Sequence, residues 1–450
     1  MGRLFGTDGA RGIAGTELTC ELAMQIGRAA AIVLASHSHK KPTIIIGKDT
    51  RLSSDMLESA MVAGICSVGA NVMLLGVLPT PAVAHLVSAY HADAGVMISA
   101  SHNPMEYNGI KLFSSSGYKL SDEIEAEIEE LILDTPEKLQ VRQGDELGRV
   151  THSATAERDY INHIITAAEC DLSGMKVVVD CANGSASQTA EKIFSALGVS
   201  AVYLNREPDG TNINRACGST DTAALEEYCR THPVELGVAF DGDADRCLAV
   251  DGEGNLVDGD KMIAILAKHM KKEGALAKDT AVVTVMSNLG FFRFCEENGI
   301  SACSTKVGDR YVLEQMLAGG YNLGGEQSGH IILSDFCPTG DGQLSAVRLM
   351  GVMRAEGRSL AALAAEMERF PQVVANIRVE NEKKPLVAEN ESFKALIAEG
   401  EAELGKEGRI LVRPSGTEPL VRVMVEGKDF NRINDIALKL GKAVKEIAKG

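Results

Sequence analysis

The stretch Asp241-Gly242-Asp243-Ala244-Asp245-Arg246 carries a carboxylate at every second position, and such a cluster is costly without a counter-ion. On a helix the middle carboxylate of an i, i+2, i+4 set would face away from the other two. An extended segment turns all of them to one side. The preceding run Leu236-Gly237-Val238-Ala239-Phe240 reads as a buried strand, so the aspartates fall at a strand end or in the loop beyond it. Oxygen ligands with no His or Cys nearby favour a hard cation, Mg²⁺ first and Mn²⁺ or Ca²⁺ behind it. A calcium loop of the EF-hand kind needs Gly at its sixth position and Glu at its twelfth, where this chain has Arg246 and Gly252. The bland alternative is an acidic turn on a solvated face, and the flanking apolar strand argues against it.

Three more loops have the residue types for chemistry. Ser99-Ala100-Ser101-His102-Asn103-Pro104 follows the apolar run Ala94 to Ile98, which places it at a strand end where donors can face solvent. A serine beside a histidine invites a hydrolase reading. Adjacent side chains of an extended segment point to opposite sides, however, so His102 is expected to be poorly placed as a base for Ser101, and no Gly-x-Ser-x-Gly elbow surrounds it. A serine that carries phosphate needs cations and not a triad, because phosphoryl transfer is mostly positioning and charge neutralisation. Arg413-Pro414-Ser415-Gly416-Thr417-Glu418-Pro419, with Arg422 just beyond, offers guanidinium, hydroxyl and backbone donors around a glycine, the makings of a phosphate cradle. Gly324-Gly325-Glu326-Gln327-Ser328-Gly329-His330 presents a carboxylate, an amide and a hydroxyl on a flexible backbone, which suits a ligand rich in hydroxyls. His330 reads equally well as a satisfied loop histidine and as a functional one.

A repeat positions these loops. Thr43 to Ile46 leads into Gly47-Lys48-Asp49-Thr50-Arg51, a helical stretch from about Asp55 to Gly69, and a second apolar run at Val72 to Leu75. Lys176 to Val179, with the loop Asp180-Cys181-Ala182-Asn183-Gly184, and Ala281 to Val285, with Met286-Ser287-Asn288, begin two similar strand, helix, strand units. Gly69, Gly198 and Gly299 punctuate the helix ends. Related α/β domains follow as the economical reading, one large α/β domain being the alternative. After Phe370-Pro371 the pattern changes to strand (Val373 to Val379), helix (about Ser392 to Leu404), two strands (Arg409 to Val412, Leu420 to Val425) and a final helix. That last helix repeats apolar residues at Ile433, Ile436, Ala437, Leu440, Val444 and Ile447, so a small α+β domain closes the chain. Ser121 to Leu133 is a further amphipathic helix whose glutamates are expected mostly outward, on a solvated face.

Composition narrows the function. The chain has 450 residues, 45% of them hydrophobic, enough for several domains and too apolar for disorder. Its apolar run Ala29 to Ala35 is far too short for a membrane span, no signal-peptide pattern is visible, and Gly6 stands where a myristoylation motif wants Ser or Thr. Ten cysteines occur singly, some bordering apolar runs as Cys66 and Cys247 do, which points to reduced thiols and a cytoplasmic setting. A net charge of −17 argues against nucleic acid as a partner, so an anionic ligand must meet a local basic cluster. With no Trp and 4% aromatic residues, recognition is expected to be polar.

The four loops, in this order and spread over nearly the whole chain, resemble those of the α-D-phosphohexomutase superfamily. The opening Leu4-Phe5-Gly6-Thr7-Asp8-Gly9-Ala10-Arg11-Gly12, the Ser99 to Pro104 loop, the Asp241 to Arg246 loop and the Gln327 form of the sugar loop resemble its glucosamine-phosphate branch. The resemblance implies three related α/β domains with mixed sheets and a smaller C-terminal α+β domain around a central cleft. It divides the chain at 1–153 (phosphoserine loop), 154–253 (metal loop), 254–370 (sugar loop) and 371–450 (phosphate-binding domain). It further implies Ser101 as the phosphoserine, Asp241, Asp243 and Asp245 with a Ser101 phosphate oxygen as ligands of Mg²⁺, and Glu326 and Ser328 as readers of sugar hydroxyls. Arg413, Ser415, Gly416, Thr417 and Arg422 would hold the phosphate that does not react. Arg11, Lys111, Arg246, Lys306 and His330 would line the reacting end, Lys111 neutralising the phosphoryl and an Arg or His handling the sugar hydroxyl proton.

The implied reaction interconverts glucosamine 6-phosphate and glucosamine 1-phosphate through a 1,6-bisphosphate, which also serves as activator, and supplies UDP-N-acetylglucosamine for the bacterial cell wall. A single cradle serving both ends of the sugar implies movement about Pro371, and a homodimer is what the family suggests. Glucose or mannose phosphate as substrate, a metal-dependent sugar phosphatase and a non-catalytic sugar-phosphate binder are the alternatives. The nucleophile and metal set together argue against the binder.

Overall fold

The structure is a computed structural model that describes residues 2–6, 8–35, 41–415 and 419–449. Its first sheet contains β1 (Ala10–Ile13), β2 (Thr43–Lys48), β3 (Asn71–Val77), β4 (Ala94–Ile98), β5 (Tyr107–Ser114) and β6 (Val150–His152), in the order β1-β5-β4-β2-β3-β6. The second contains β7 (Lys176–Asp180), β8 (Ser200–Leu204), β9 (Leu236–Phe240), β10 (Cys247–Asp251) and β11 (Leu256–Val257), in the order β11-β10-β9-β7-β8. The third contains β12 (Thr280–Thr284), β13 (Ser301–Thr305), β14 (Leu323–Gly325) and β15 (Ile331–Leu333), in the order β13-β12-β14-β15. The fourth has only β16 (Gln372–Arg378), β17 (Gly408–Pro414) and β18 (Leu420–Gly427), antiparallel, in the order β16-β18-β17.

The first three sheets share a four-strand plan. A central strand (β2, β7, β12) pairs in parallel with the strand beyond its crossover helix (β3, β8, β13). On its other side it pairs in parallel with a third strand (β4, β9, β14), which turns back into an antiparallel neighbour (β5, β10, β15). The sequence repeat is therefore real, and each copy ends in a hairpin. The helix-ending glycines have φ of +98° at Gly69, +69° at Gly198 and +64° at Gly299, a left-handed turn that a Cβ would oppose. Strands β4 and β9 are buried along their whole length, which explains their unbroken apolar runs.

The described residues form two compact units, Met1–Met286 with Gly299–Glu366, and Ser287–Asn298 with Met367–Gly450. Within the second unit, helix Phe430–Ile447 buries Ile433, Ile436, Ala437, Leu440 and Val444, with Ile447 packed against the same core. Its first turn is capped by the Asp429 carboxylate, which accepts from the Asn431 and Arg432 amides. The third repeat's helix Leu289–Glu297 also belongs to this unit, where Asn288 Oδ1 accepts from Phe370 N at 2.9 Å. Helix Asp122–Leu133 departs in part from the solvated face expected of it. Glu129 is buried and accepts the amides of Arg3, Leu4 and Phe5, so it fastens the N-terminal segment. Ten cysteines are free, and no helix among the described residues is long and apolar enough to cross a membrane.

His85 on helix Thr80–Ala89 stacks on His163 of helix Ala156–Thr166, with ring centroids 3.8 Å apart. Burial, and then the neighbouring ring, pulls the His85 pKa from 6.5 to about 4, and burial lowers that of His163. An imidazole that protonates more readily in the unfolded chain leaves stability intact above its unfolded pKa of 6.5 and withdraws it as pH falls toward about 4. Thermal unfolding should therefore show Tm dropping between about pH 7 and about pH 5, and dropping less in His85→Gln. Equal drops in the two proteins would remove the stacked pair as a source of acid lability.

Candidate active site

The three hairpins of the repeat carry the three loops picked out by chemistry: β4 to β5 holds Ser101, β9 to β10 holds the aspartates, and β14 to β15 holds Glu326 and Ser328. The aspartate loop is pinned from all sides by helix N-termini. Thr80 N donates to Asp243 O at 2.9 Å, Ser185 N to Gly242 O at 2.8 Å and Gly342 N to Ala244 O at 3.0 Å. These donors begin the helices Thr80–Ala89, Ala186–Ala196 and Gly342–Glu356, so three positive dipole ends meet the acidic loop. Gly242 is required there: a Cβ on it would stand 2.6 Å from the Ser101 carbonyl oxygen.

Asp241, Asp243 and Asp245 are all buried, and one oxygen from each lies within 4.8 Å of the others. Asp243 Oδ2 accepts from Lys111 Nζ at 2.8 Å and Thr80 Oγ1 at 2.5 Å, while Asp241 Oδ2 accepts from Ser101 Oγ at 2.6 Å. Asp243 Oδ1 and Asp245 Oδ1 are buried with no hydrogen-bond partner among the described residues. Two orphaned carboxylate oxygens in an all-oxygen set fit a hard divalent cation. Burial, then Asp245 and Asp243, raises the Asp241 pKa, whereas Lys111 and His330 overcome burial and hold Asp245 low. Burial opposes the Lys111 charge, but Asp243, Asp8 and Asp245 outweigh it and its pKa rises.

Lys111 belongs to a closed ring of alternating acids and bases. From Asp245 the ring runs to Lys111 (3.4 Å), Asp8 (3.4 Å), Lys119 (2.5 Å), Asp309 (2.5 Å), His330 (3.5 Å) and back to Asp245 (3.7 Å). His330 is buried, with Gly340 N 3.1 Å from its Nε2, and the ring closes as ion pairs through His330 only when the imidazole is protonated. Arg11 pairs with Asp8, and its buried Nε has no hydrogen-bond partner among the described residues. Arg246 is half-buried, its amide donating to Asp241 Oδ1 at 3.2 Å and its Nε 3.9 Å from Asp245 Oδ1.

Ser101 has φ +52°, a left-handed conformation that costs a non-glycine residue about 1–2 kcal/mol. The loop is thus not extended, which overturns the expectation for His102: its Nδ1 lies 3.3 Å from Ser101 Oγ. The ring is nonetheless a weak base, because burial, then Arg246 and Arg11, lowers its pKa to about 4.

In the sugar loop Glu326 accepts from Gly308 N at 3.0 Å, Ser328 is exposed, and Gly329 O accepts from Cys247 N at 3.0 Å, docking the loop against the start of β10. Lys306 is exposed, its Nζ 5.7 Å from the Tyr311 ring centre. The first unit thus brings together Ser101, the aspartates, Lys111, Arg11, Arg246 and His330. In the second unit Arg413 on β17 stands directly opposite Arg422 on β18, and Ser415 N donates to Leu420 O at 2.9 Å to close the turn. Gly416 and Thr417 lie outside the described residues.

The sequence reading missed Asp8, Thr80, Lys119 and Asp309, which meet the site only through the fold. It also passed over Asp49 and Arg51, although both stand in the loop after the first repeat strand, where an Asp-x-Arg was visible.

Comparison with known proteins completes the picture. Models of the phosphoglucomutase/phosphomannomutase alpha/beta/alpha domains I, II and III match residues 2–138, 158–254 and 258–370, and that of the C-terminal domain matches 375–442. The chain is 52% identical over 446 residues to the phosphoglucosamine mutase of Acetivibrio thermocellus, covering 99% of each protein. It is 52% identical over 448 residues to that of Clostridium acetobutylicum, covering 100% of each. A phosphoglucomutase/phosphomannomutase family protein of Burkholderia thailandensis shares the fold at TM-score 0.82 and 23% identity, covering 98% of this chain and 97% of that one. The N-acetylphosphoglucosamine mutase of Aspergillus fumigatus, solved with GlcNAc-6P and magnesium, does so at TM-score 0.74 and 17% identity, covering 99% and 96%. With four domain models matched in order along a chain whose three equivalent hairpins carry the serine, aspartate and sugar loops, this protein belongs to the phosphoglucomutase/phosphomannomutase family of phosphohexomutases.

Proposed function

We propose that this enzyme interconverts glucosamine 6-phosphate and glucosamine 1-phosphate through a phosphorylated Ser101 and a glucosamine 1,6-bisphosphate. The observation that carries the mechanism is Ser101 Oγ, set 2.6 Å from Asp241 beside two buried carboxylate oxygens that have no hydrogen-bond partner among the described residues. The choice of amino sugar rests on the identity to phosphoglucosamine mutases over the whole chain.

Asp241, Asp243 and Asp245 hold Mg²⁺ in this reading, in keeping with their oxygen-only set and with the magnesium in the Aspergillus fumigatus complex. When bound, the ion supplies Lewis-acid neutralisation of the phosphoryl charge. Lys111, fully buried and held cationic by three aspartates, keeps a fixed positive charge beside the same oxygens. In the first half-reaction the P–Oγ bond of phospho-Ser101 breaks, a bond forms between phosphorus and the sugar's free hydroxyl oxygen, and the hydroxyl proton ends on Ser101 Oγ. The bisphosphate turns over in the site and the second half-reaction runs the same exchange backward at the other end. In this reading Arg11 and Arg246 meet phosphoryl oxygens, and His330 acts on the reaction through Asp245. Glu326, Ser328 and Lys306 orient the sugar.

Arg413 and Arg422, with Ser415 and the glycine and threonine after it, hold the phosphate that does not react. Arg413 and Arg422 are cross-strand partners on β17 and β18, and guanidinium groups are the side-chain donors that hold a phosphate bidentately. In this division residues 1–153, 154–253, 254–370 and 371–450 supply nucleophile, metal ligands, sugar contacts and distal phosphate site in turn.

Lys111→Met should destabilise the protein by about 3–5 kcal/mol in metal-free buffer, since it strips a buried cation from Asp243. Added Mg²⁺ should recover part of that loss in denaturant titrations. A variant as stable as the parent in chelator would show that Lys111 is not the site's counter-charge.

Turnover should appear with glucosamine phosphates, Mg²⁺ and a trace of hexose 1,6-bisphosphate, exceed that with glucose or mannose phosphates, and vanish in Ser101→Ala. Better turnover of glucose or mannose phosphate would keep the mechanism and change the substrate. Phosphate release without isomerisation would replace the proposal with a hydrolase.

A further inference from the structure

Ser101 sits in a loop whose carbonyl oxygens are gathered by two side chains that no catalytic step uses. The Arg51 guanidinium donates through Nη2 to Ser101 O at 3.0 Å and Asn103 O at 2.8 Å, and through Nη1 to Pro104 O at 2.5 Å and Tyr107 O at 2.9 Å. Its Nε donates to Asp49 Oδ2 at 2.8 Å, so all five of its N–H groups have an acceptor. Asp49 in turn accepts from Ser99 Oγ at 2.6 Å, and Ser99 Oγ accepts the Ser101 amide at 2.9 Å. From the second sheet's side, Asn214 Nδ2 donates to two of the same carbonyls, Ser101 O at 2.9 Å and Asn103 O at 3.1 Å.

Fixing the carbonyls of residues 101, 103, 104 and 107 fixes the peptide planes between them, and with them the left-handed φ of Ser101. An unclamped loop relaxes toward ordinary backbone conformations, and the Oγ then leaves the Asp241 carboxylate. We propose that Arg51 and Asn214 are positioning residues that hold the Ser101 loop in its left-handed, phosphoryl-accepting conformation. Neither residue reaches the reacting atoms; they act through the loop backbone. A lysine cannot replace Arg51, because its ammonium has three donors on a single atom and cannot span four carbonyls and a carboxylate.

The inference rests on Ser101 being the nucleophile, and the test separates the two. Full-length wild type, Ser101→Ala, Arg51→Lys and Asn214→Ala are mixed with glucose 1,6-bisphosphate and Mg²⁺. The rate of phosphoryl transfer to the protein is then followed by intact mass, with Tm and steady-state kcat and KM measured alongside. In that transfer a sugar P–O bond breaks, the P–Oγ bond forms, and the Oγ proton goes to the sugar oxygen. Asn214→Ala should keep the parent Tm within a few degrees and KM within about twofold, while slowing phosphorylation and kcat at least about tenfold. Arg51→Lys should slow both further. Phosphorylation of Asn214→Ala at the parent rate, or a KM rise at unchanged kcat, overturns the clamp even if Arg51→Lys fails to fold. Phosphorylation of Ser101→Ala at the parent rate would instead overturn the nucleophile on which the clamp depends.

Discussion

Three buried carboxylates within a few ångströms of one another are the constraint to which the rest of the first unit is fitted. At an effective dielectric near 20, two like charges about 4 Å apart repel by about 4 kcal/mol, and three such pairs share this loop. A helix N-terminus returns only about 0.3–1 kcal/mol at an exposed site and about 2 kcal/mol in a favourable partly buried one. The convergence of the helices that begin at Thr80, Ala186 and Gly342 therefore orders the loop without neutralising it. Lys111 answers the charge of Asp243 directly, and the ring through Asp8, Lys119, Asp309 and His330 spreads the remainder over all three repeats. What stays unanswered is one oxygen each on Asp243 and Asp245, which is the demand a divalent cation meets.

The repeat explains why such a site can be assembled at all. Each copy places a hairpin at the same point of its four-strand plan, so three chemically different loops arrive from equivalent positions: one with Ser101, one with the three aspartates, and one with Glu326 and Ser328. The loop after each central strand then serves as scaffold. Asp49 and Arg51 organise the Ser101 loop, Asp180 accepts from the Ala182 and Gly218 amides and from Asn205 Nδ2, and Asn288 Oδ1 accepts from the Gly290 and Phe370 amides. A polar side chain at the end of a buried parallel strand can reach neighbouring backbone without leaving its own donors unsatisfied. In the first two repeats that role falls to a buried aspartate, whose acceptor capacity suits the amides around it.

These roles were unequally legible in the sequence. The aspartate triad declared itself by its clustered carboxylates and the strand before it, although it lies in a turn, with Ala244 at φ +54°, and not on the extended segment its spacing suggested. The apolar stripe from Ile433 to Val444 declared itself by helical periodicity, and both signals are local. Glu129 was misread for the opposite reason: its neighbours are solvated glutamates, and only the approach of residues 3–5 turns it inward. The separation of Ser101 from His102 failed because it assumed an extended backbone, while the fold holds Ser101 left-handed. Lys119 and Asp309 left no trace in any window, since they meet 190 positions apart. The equivalence of the three hairpins was within reach of the sequence but needed each repeat to be followed two strands further.

The basic groups of the two units are held in different ways. Around Asp241 the positive groups stand beside carboxylates, and Lys111 is held cationic by Asp243, Asp8 and Asp245. At the β17–β18 turn, Arg413 and Arg422 are cross-strand partners by register, and Arg422 Nε donates to Asn376 Oδ1 on the third strand at 2.9 Å. A pocket whose buried carboxylates and fixed cations keep their positions while a phosphoryl group arrives and leaves needs little reorganisation at either step, which is what a reversible exchange between two ends of one sugar requires.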